Sequence, residues 1–490
     1  MANTSHASKG MVLLLTCAAQ FMVVLDIAIV NVALPSIQRD LGIGQGSLQW
    51  IVVAYSLMLG GFLLLGGRLA DQLGRRRILL AGLILFSAAS LFAGLSGSAG
   101  LLIGARALQG LGAALLPPTA LSILAVTFDD GPERNRALGV YGAVTGISAS
   151  VGVIASGLLT SGPGWRWVFF INIPIGVILI ALAVVFLPAD SSGSRRGGHF
   201  DAAGAATVTG GLLLLVYALN RGAGHGWGSW PTIGSFAGSA VLLSAFAAIE
   251  ARSRSPLVPG SAVRNRTLVA ANLSSFFVFG GVLAFIFLGS LLMQQVLGYS
   301  PTRTGVAWLA TTVMSFVAAA VTGAKLVAVV GVRRLLVTGL ALLAVAALLL
   351  TRISVGGHYA TGLLPAFLLA GLGGGMSAPA VQIAALSGVA PALTGVASGL
   401  LETMREVAGA ITIAIVSTVL IARADSAGGV TATAGSLNAF HAAYWVIFAV
   451  GALGAITAAI TFQRRASQVP EPEPAPAHGP AIQEPAAEPG

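Results

Sequence analysis

Long apolar runs alternate with short polar segments from residue 11 to residue 462. A transmembrane helix needs about 20 apolar residues, because each residue advances the helix by about 1.5 Å across a hydrocarbon layer about 30 Å thick. The pattern therefore predicts an all-α polytopic membrane protein. Its fourteen predicted transmembrane helices cover residues 11–34, 48–69, 77–96, 100–126, 135–160, 167–187, 202–219, 233–250, 268–294, 304–329, 333–352, 361–387, 394–421 and 439–462.

The composition supports this class and excludes others. Hydrophobic residues make up 56% of the chain and charged residues only 9%, whereas soluble domains carry about 25% charged residues. The net charge of +10 does not indicate nucleic acid binding, because the arginines form short clusters between apolar runs. The single cysteine, Cys17, excludes an intramolecular disulfide, and no Cys/His spacing suits a metal. We therefore expect no metal, no cofactor and no nucleic acid partner.

The basic residues predict the orientation of the chain in the bilayer. Of the 26 basic residues, 18 fall on the side of both termini and six on the other side. The positive-inside rule then places both termini in the cytoplasm. The excess of Arg, Ala and Gly suggests a GC-rich bacterial genome, so we expect a multi-pass protein of the bacterial plasma membrane.

An internal repeat is visible at the ends of the second and tenth predicted spans. Residues Gly67–Arg76 and Ala324–Arg333 share a basic residue, a leucine, a glycine and a final arginine, but Ala328 replaces Asp71. Parallel repeats with a binding site between them are a transporter architecture.

The repeat predicts how the chain divides. The two halves are six-helix bundles, and two further transmembrane helices with flanking loops lie between them. A Pro-, Ala- and Glu-rich tail, which cannot bury a core, should be disordered and cytoplasmic. The predicted parts are residues 1–187, 188–267, 268–465 and 466–490.

Asp26 is the first candidate functional residue. It lies within an otherwise almost uncharged run, where a carboxylate is costly unless it is paired, hydrated or protonated. Such an acid marks a functional site by default, and we expect it to bind protons and contact a cationic substrate.

A second group of charges lies in the thirteenth predicted span, where Glu402 and Glu406 share a helix face with Arg405 beside both. Two interpretations stay open. The trio is either a self-neutralised group near a helix entrance or a proton or cation site, with its two acids as second choices after Asp26.

Four segments carry a resemblance to a known family: Leu25–Pro35, Gly67–Arg77, Leu102–Ala113 and Trp165–Gly176. On these residues the chain resembles the major facilitator superfamily and, more narrowly, its fourteen-span drug:proton antiporters. The resemblance implies the major facilitator fold, with two six-helix bundles plus two extra central helices.

The resemblance also implies roles for particular residues. Gly67, Asp71, Gly74, Arg75 and Arg76 match the gating motif between the second and third spans. In that motif the Asp71 carboxylate can accept hydrogen bonds from an arginine or from a helix N-terminus of the other half, and so favour one access state.

The resemblance assigns Arg106, in the fourth span, to proton transfer, because an arginine beside an acid tunes its protonation.

The fifth span departs from the antiporter pattern. Val153 stands where the signature has proline, and Ser156 replaces one of its glycines. Because proline would remove a backbone hydrogen bond, we expect this helix to be less kinked than in the family. The departure leaves the direction of transport open.

No ATP site is visible, because the glycine-rich stretch Gly371–Gly375 lacks a preceding strand and a following Lys-Ser/Thr. The chain is therefore expected to be a secondary transporter and not an enzyme. We expect a monomer that uses the proton gradient to expel hydrophobic, often cationic drugs or antibiotics by alternating access. The alternatives are a dedicated self-resistance exporter of one metabolite, a nutrient importer, or a non-transporting sensor.

Overall fold

The computed structural model describes residues 3–43, 45–188, 201–253, 256–354, 358–426 and 433–462. All regular secondary structure within these ranges is helical. The predicted tail, residues 466–490, lies outside them. The α-helices are α1 Asn3–Leu41, α2 Gln45–Leu73, α3 Arg75–Gly94, α4 Ala99–Thr127, α5 Pro132–Ser161, α6 Trp167–Phe170, α7 Asn172–Phe186, α8 Ala202–His225, α9 Trp230–Glu250, α10 Gly260–Arg264, α11 Arg266–Leu291, α12 Pro301–Val321, α13 Val327–Val330, α14 Val332–Leu350, α15 Tyr359–Gly362, α16 Leu364–Leu386, α17 Thr394–Ser426 and α18 Thr433–Thr461.

The helices confirm the predicted all-α membrane class. Within the described residues, thirteen helices are long and apolar enough to cross a membrane. They coincide with every predicted span except the fifth, which corresponds to α5, a continuous helix of 30 residues. At about 1.5 Å per residue, α5 is also long enough to cross the hydrocarbon layer.

The helical form follows from the hydrocarbon environment of the lipid bilayer. In hydrocarbon every backbone N–H and C=O must be satisfied within the protein, and an α-helix does this inside one segment. Turns fall where glycine allows a positive φ, as at Gly74 between α2 and α3 (φ 104°) and at Gly331 between α13 and α14 (φ 81°).

Two groups of packed helices meet along a seam. In the first half α1 packs on α5, and α4 packs on both α2 and α3. In the second half α14 packs on α16 and α18, and α11 packs on α17. Across the seam α2 lies against α17, and α5 lies against α12. The hairpin α8–α9 sits outside this frame, with α8 on α2 and α17.

Candidate functional site

Asp26 and Arg106 form a buried ion pair in the first half. Asp26 lies on α1 and is 0% exposed, and Arg106 lies on α4 and is 1% exposed. The Arg106 guanidinium donates to the Asp26 carboxylate over 2.5 Å and to the backbone carbonyl of Ile51 over 3.2 Å. The structure therefore brings together two charges that the sequence marked separately.

Amide side chains complete the surroundings of the Asp26 carboxylate. Gln109 on α4 and Asn172 on α7 each donate to Asp26 Oδ1, over 2.7 and 2.8 Å. Both amides also donate to the hydroxyl of Ser90 on α3, and the Gln109 carbonyl accepts from Arg106 over 2.8 Å. The cluster is electrically balanced, because one carboxylate faces one guanidinium and the other members are neutral.

Tyr55 forms the wall of this cluster on the α2 side. The Arg106 guanidinium lies 4.1 Å from the centre of the Tyr55 ring. The ring is buried, and its hydroxyl has no hydrogen-bond partner among the described residues. Tyr55 also lies within electrostatic range of Arg405 and Glu406 in the second half. Tyr55 therefore contacts the first charged group and is within electrostatic range of the second.

The predicted trio on α17 consists of two buried residues, Glu402 and Arg405, and the partly buried Glu406, with one more acid than base. Glu402 Oε2 lies 2.8 Å from Arg405 Nη1, but the two atoms are not aligned as a hydrogen bond. Arg405 also donates to Glu406 Oε1 over 3.2 Å. The Glu402 side chain is 2% exposed and that of Glu406 is 23% exposed. Two carboxylates thus share one guanidinium, so the trio has a formal charge of −1 when both acids are ionised.

Beside α5, two buried amide side chains have unused hydrogen-bonding capacity: Gln20 at Tyr141 and Gln382 at Gly142. Tyr141 on α5 lies within electrostatic range of Glu402 and Arg405 and donates to the Gln20 side chain over 2.8 Å. The Gln20 side-chain amide nitrogen is buried without a partner among the described residues. The side-chain carbonyl oxygen of Gln382 is likewise buried and unpartnered there. These groups are suited to a polar ligand between the halves.

The predicted gating motif joins the two halves at the arginine-rich side, which carries the loops at Gly74 and Gly331. The Asp71 carboxylate accepts the backbone N–H groups of Gly395 and Val396, over 3.1 and 3.0 Å, at the start of α17. The helix dipole and unsatisfied N–H groups at a helix N-terminus favour an anion there. Asp71 therefore binds the first turn of a helix in the opposite half.

Arg75 extends this contact. It pairs with Asp71 over 3.0 Å and donates to Thr394 over 3.1 Å and to the Pro391 carbonyl over 2.5 Å. Its Nε donates to the hydroxyl of Ser122 on α4 over 2.6 Å. We call Asp71 and Arg75 with these partners the latch.

The other residues of the motif have separate contacts. Arg76 donates to the Val184 carbonyl of α7, within the first half, over 2.6 Å. A Cβ on Gly67 would collide with the Gly395 carbonyl, so α2 and α17 approach as closely as their backbones allow.

A further polar contact lies within the first half, on the side of the membrane opposite to the latch. Asp40 near the end of α1 accepts from the Trp165 indole over 2.9 Å and from Arg166 over 2.7 Å. These two hydrogen bonds lower the pKa of the Asp40 carboxyl.

Comparison with known proteins is consistent with this geometry. The model of the Major Facilitator Superfamily matches residues 16–413. The chain belongs to the major facilitator superfamily. It is a membrane transporter and not an enzyme.

The similar superfamily members include exporters and resistance proteins of actinomycetes. The chain is 39% identical to the puromycin resistance protein pur8 of Streptomyces alboniger over 84% of this chain and 81% of the relative. It is 36% identical to the cephamycin export protein CmcT of Amycolatopsis lactamdurans, over 85% and 86% of the two chains. It is 33% identical to the tetracenomycin C resistance and export protein of Streptomyces glaucescens, over 84% and 76%.

A solved structure supports the superfamily fold. The crystal structure of the human organic anion transporter MFSD10 (TETRAN) matches with a TM-score of 0.64 and 16% identity, covering 90% of this chain and 99% of that one. At this identity the likeness shows the fold alone.

The sequence analysis of this superfamily member did not single out several polar residues of these clusters. Their residue types are common in helices, and a neutral amide or hydroxyl in an apolar run is a much weaker signal than a charge. Gln109 and Asn172 lie in segments that carry the resemblance, but their contacts with Asp26 depend on helix packing. The residues missed are Gln20, Tyr55, Ser90, Gln109, Ser122, Tyr141, Asn172 and Gln382.

Proposed function

We propose that this transporter exports antibiotic-like compounds across the bacterial plasma membrane in exchange for protons, with both termini in the cytoplasm. The named relatives are export and resistance proteins for puromycin, cephamycin and tetracenomycin C. The observation that carries the proposal is the burial of ionisable carboxylates inside membrane-crossing helices, with Asp26 at 0% and Glu402 at 2% exposure. Such acids are costly and mark proton or ion pathways.

In this proposal Asp26 and Arg106 form the coupling pair. The network around Asp26 supplies a guanidinium and two amide N–H groups to the carboxylate. Protonation of Asp26 would remove the negative charge that balances Arg106 and would change the packing of α1 against α4. A change between two packings in the first half is the kind of event that biases an alternating-access equilibrium.

The trio on α17 is the proposed contact for a cationic cargo. Its formal charge of −1 is not balanced within the trio, whereas the Asp26 cluster is balanced. A cation that reached Glu402 would share its carboxylate with Arg405, and the unused amide groups of Gln20 and Gln382 would bind polar atoms of the same molecule.

The latch would hold the arginine-rich side closed. Asp71 and Arg75 connect α2 with the start of α17, so opening this side requires their hydrogen bonds to break. In the proposed orientation this side faces the cytoplasm, and breaking the latch would admit cargo there.

A second candidate function is self-resistance to a single antibiotic. It is favoured by relatives that are each named for one compound, such as puromycin or cephamycin. Import and sensing are further alternatives, and the changed fifth-span signature is the reason to test them. The same transport assay distinguishes all four possibilities.

The experiment measures cargo uptake into inverted vesicles that contain the purified full-length protein under an imposed pH gradient. Antibiotics, dyes and biocides of different charge are screened. We expect gradient-dependent uptake of several compounds, and uptake of one compound would favour self-resistance. No uptake of any compound, or net movement in the import direction, would contradict the proposal.

Paired variants test the role of the trio. Glu402→Gln should weaken uptake of cationic cargo about tenfold, which corresponds to about 1.4 kcal/mol, and leave neutral cargo almost unchanged. Glu406→Gln removes the same formal charge at the more exposed acid of the trio, so a smaller loss of cationic uptake in that variant would assign the cargo contact to Glu402 rather than to the net charge alone. An equal loss for cationic and neutral cargo in Glu402→Gln would assign Glu402 a structural role.

A further inference from the structure

The seam between the halves has two equivalent glycine contacts at the arginine-rich side. Gly67 on α2 lies against the Gly395 carbonyl and the Gly399 Cα of α17. At the second contact on this same side of the membrane, Gly323 lies against the Asn135 carbonyl and the Gly139 Cα of α5. In each contact one glycine lies against two residues of the opposing helix that are four positions apart. The same close approach therefore occurs once in each half of the repeat.

The second copy contains one extra residue. Gly67 precedes the turn glycine Gly74 by seven positions, whereas Gly323 precedes its counterpart Gly331 by eight. A π-helical turn at Thr322–Leu326 accommodates the difference. After this turn the structure keeps the residue pairing read from the sequence, in which Ala328 corresponds to Asp71. Before the turn, the counterpart of Gly67 is Gly323.

The replacement of Asp71 by Ala328 makes the two ends of the seam different. At the first end the Asp71 carboxylate closes the contact with α17. At the second end a methyl group cannot accept a hydrogen bond, and a cleft of about 1900 Å³ is present instead. It lies between the start of α5 from the first half and five helices of the second half: the starts of α11 and α14, the short helix α13, and the ends of α16 and α18.

Arginines dominate the charge of this cleft. Among the described residues, Arg134, Arg266, Arg333 and Arg334 line it, together with one acid, Asp130. Arg134 pairs with Asp130, and Arg333 donates to the Ala459 carbonyl over 2.7 Å.

Two of these arginines are available for a ligand. Within the described part of the chain, Arg266 and Arg334 have neither an ion pair nor a side-chain hydrogen bond, and both are exposed. The cleft thus carries three positive charges in excess and two guanidinium groups that can bind an anion. Guanidinium groups match the geometry of phosphate oxygens and bind them with two parallel hydrogen bonds.

The cleft also has an apolar part, although hydroxyl and amide side chains such as Thr267 and Asn135 line it as well. Val329, Val337 and Phe462 contribute to the apolar part. Val329 is 81% exposed, so this wall continues to the outer surface of the protein. A soluble anion would leave such a surface unused, whereas a molecule with an anionic head and a hydrocarbon tail would cover both parts. The cationic rim also disfavours a cationic cargo.

We propose that this cleft, which we call the arginine cleft, binds an anionic phospholipid. The phosphate lies at Arg266 and Arg334, and an acyl chain follows the valine-rich wall. The site lies where the second copy of the repeat lacks the latch acid, and the start of α5 borders it. Basic pockets between transmembrane helices are known to bind phospholipid head groups.

The test is native mass spectrometry of the delipidated full-length protein, titrated with phosphatidylglycerol or with zwitterionic phosphatidylcholine. Loss of two basic contacts should lower affinity for phosphatidylglycerol about tenfold or more in the double variant Arg266→Gln/Arg334→Gln. The control Arg136→Gln/Arg252→Gln removes two exposed arginines that do not line the cleft. It should stay within about twofold of the unmodified protein, since only non-specific attraction is lost. A parallel titration with inorganic phosphate separates a lipid site from a phosphate site.

The proposal requires a preference for phosphatidylglycerol that the cleft variant loses and the control keeps. Equal binding of the two lipids would overturn it, and this is the result expected if the chain's own acidic segment, residues 471–488, filled the cleft. An equal loss in both double variants would show non-specific attraction to the basic surface. Displacement of phosphatidylglycerol by an equal concentration of inorganic phosphate would show a soluble-anion site.

Discussion

At the residue scale, the Asp26–Arg106 pair is the feature with the largest energetic consequence. Both groups are almost fully buried and lie on different helices. Removing one partner of a buried ion pair costs on the order of 3–5 kcal/mol, because the other charge is left unpaired. Loss of transport in a single variant could therefore reflect misfolding as well as loss of coupling, and the two effects have to be separated.

The first prediction uses a double-mutant cycle. Asp26→Asn and Arg106→Gln should each destabilise the protein by on the order of 3 kcal/mol, whereas the double variant should recover at least half of that loss because no charge is left unpaired. Thermal unfolding in detergent measures the stabilities. Additive losses in the double variant would show that the two side chains are not energetically coupled.

The sequence could identify the charged members of the site but not their arrangement. Asp26, Arg106 and Glu402 were noticeable because each is a charge within an apolar run. The contacts of Asp26 with Arg106 and Asn172 span 80 and 146 positions along the chain, and only helix packing determines them. The charge balance of the Asp26 cluster follows from that packing, whereas the formal charge of the trio, two acids and one arginine on one helix, can be read from the sequence.

At the element scale, the latch connects the end of α2 to the start of α17. The sequence predicted an acid that would accept from an arginine or from a helix N-terminus of the other half. Asp71 accepts from a helix N-terminus of the other half, and its arginine partner, Arg75, lies in its own half. The partners at the start of α17 could not be named beforehand, because backbone N–H groups have no signature in the sequence. The gating role itself stays a proposal.

The second prediction tests the latch at its backbone contacts. In Asp71→Asn the amide cannot replace a carboxylate that accepts two N–H groups and a guanidinium. Hydrogen exchange of the Gly395 and Val396 amides should accelerate about tenfold, because a net loss of about 1.4 kcal/mol is expected for charge-assisted hydrogen bonds. Asp130→Asn, at the arginine cleft, is the control and should leave these amides unchanged. Unaltered exchange in Asp71→Asn would exclude the latch.

The third prediction concerns the contact between the end of α1 and the loop before α6. Because the folded-state pKa of Asp40 is lowered, its contribution to stability is present above the ordinary Asp pKa of about 3.9 and is lost as the pH falls through the folded-state value. The difference in melting temperature between the unmodified protein and Asp40→Asn should be constant from neutral pH to about pH 5 and shrink below about pH 4. A difference that grows on acidification would contradict this assignment.

At the scale of the whole molecule, the two halves have a common plan with different charges. The glycine contacts of the seam occur in both copies, but the acid of the latch occurs only in the first copy. The repeat was visible in the sequence. The π-helical turn, which accommodates one additional residue at Thr322–Leu326, could not be predicted, and neither could the cleft, because its lining comes from both halves and depends on how they pack.

The central claim, that a proton on Asp26 is exchanged for cargo, can be tested without a membrane gradient. A cationic cargo identified by the vesicle screen is added to the purified protein in weakly buffered detergent solution, and a pH-sensitive dye records released protons. The unmodified protein should release protons on binding, whereas the charge-balanced variant Asp26→Asn/Arg106→Gln should bind cargo and release none. Equal proton release by the two proteins would contradict the assignment of Asp26.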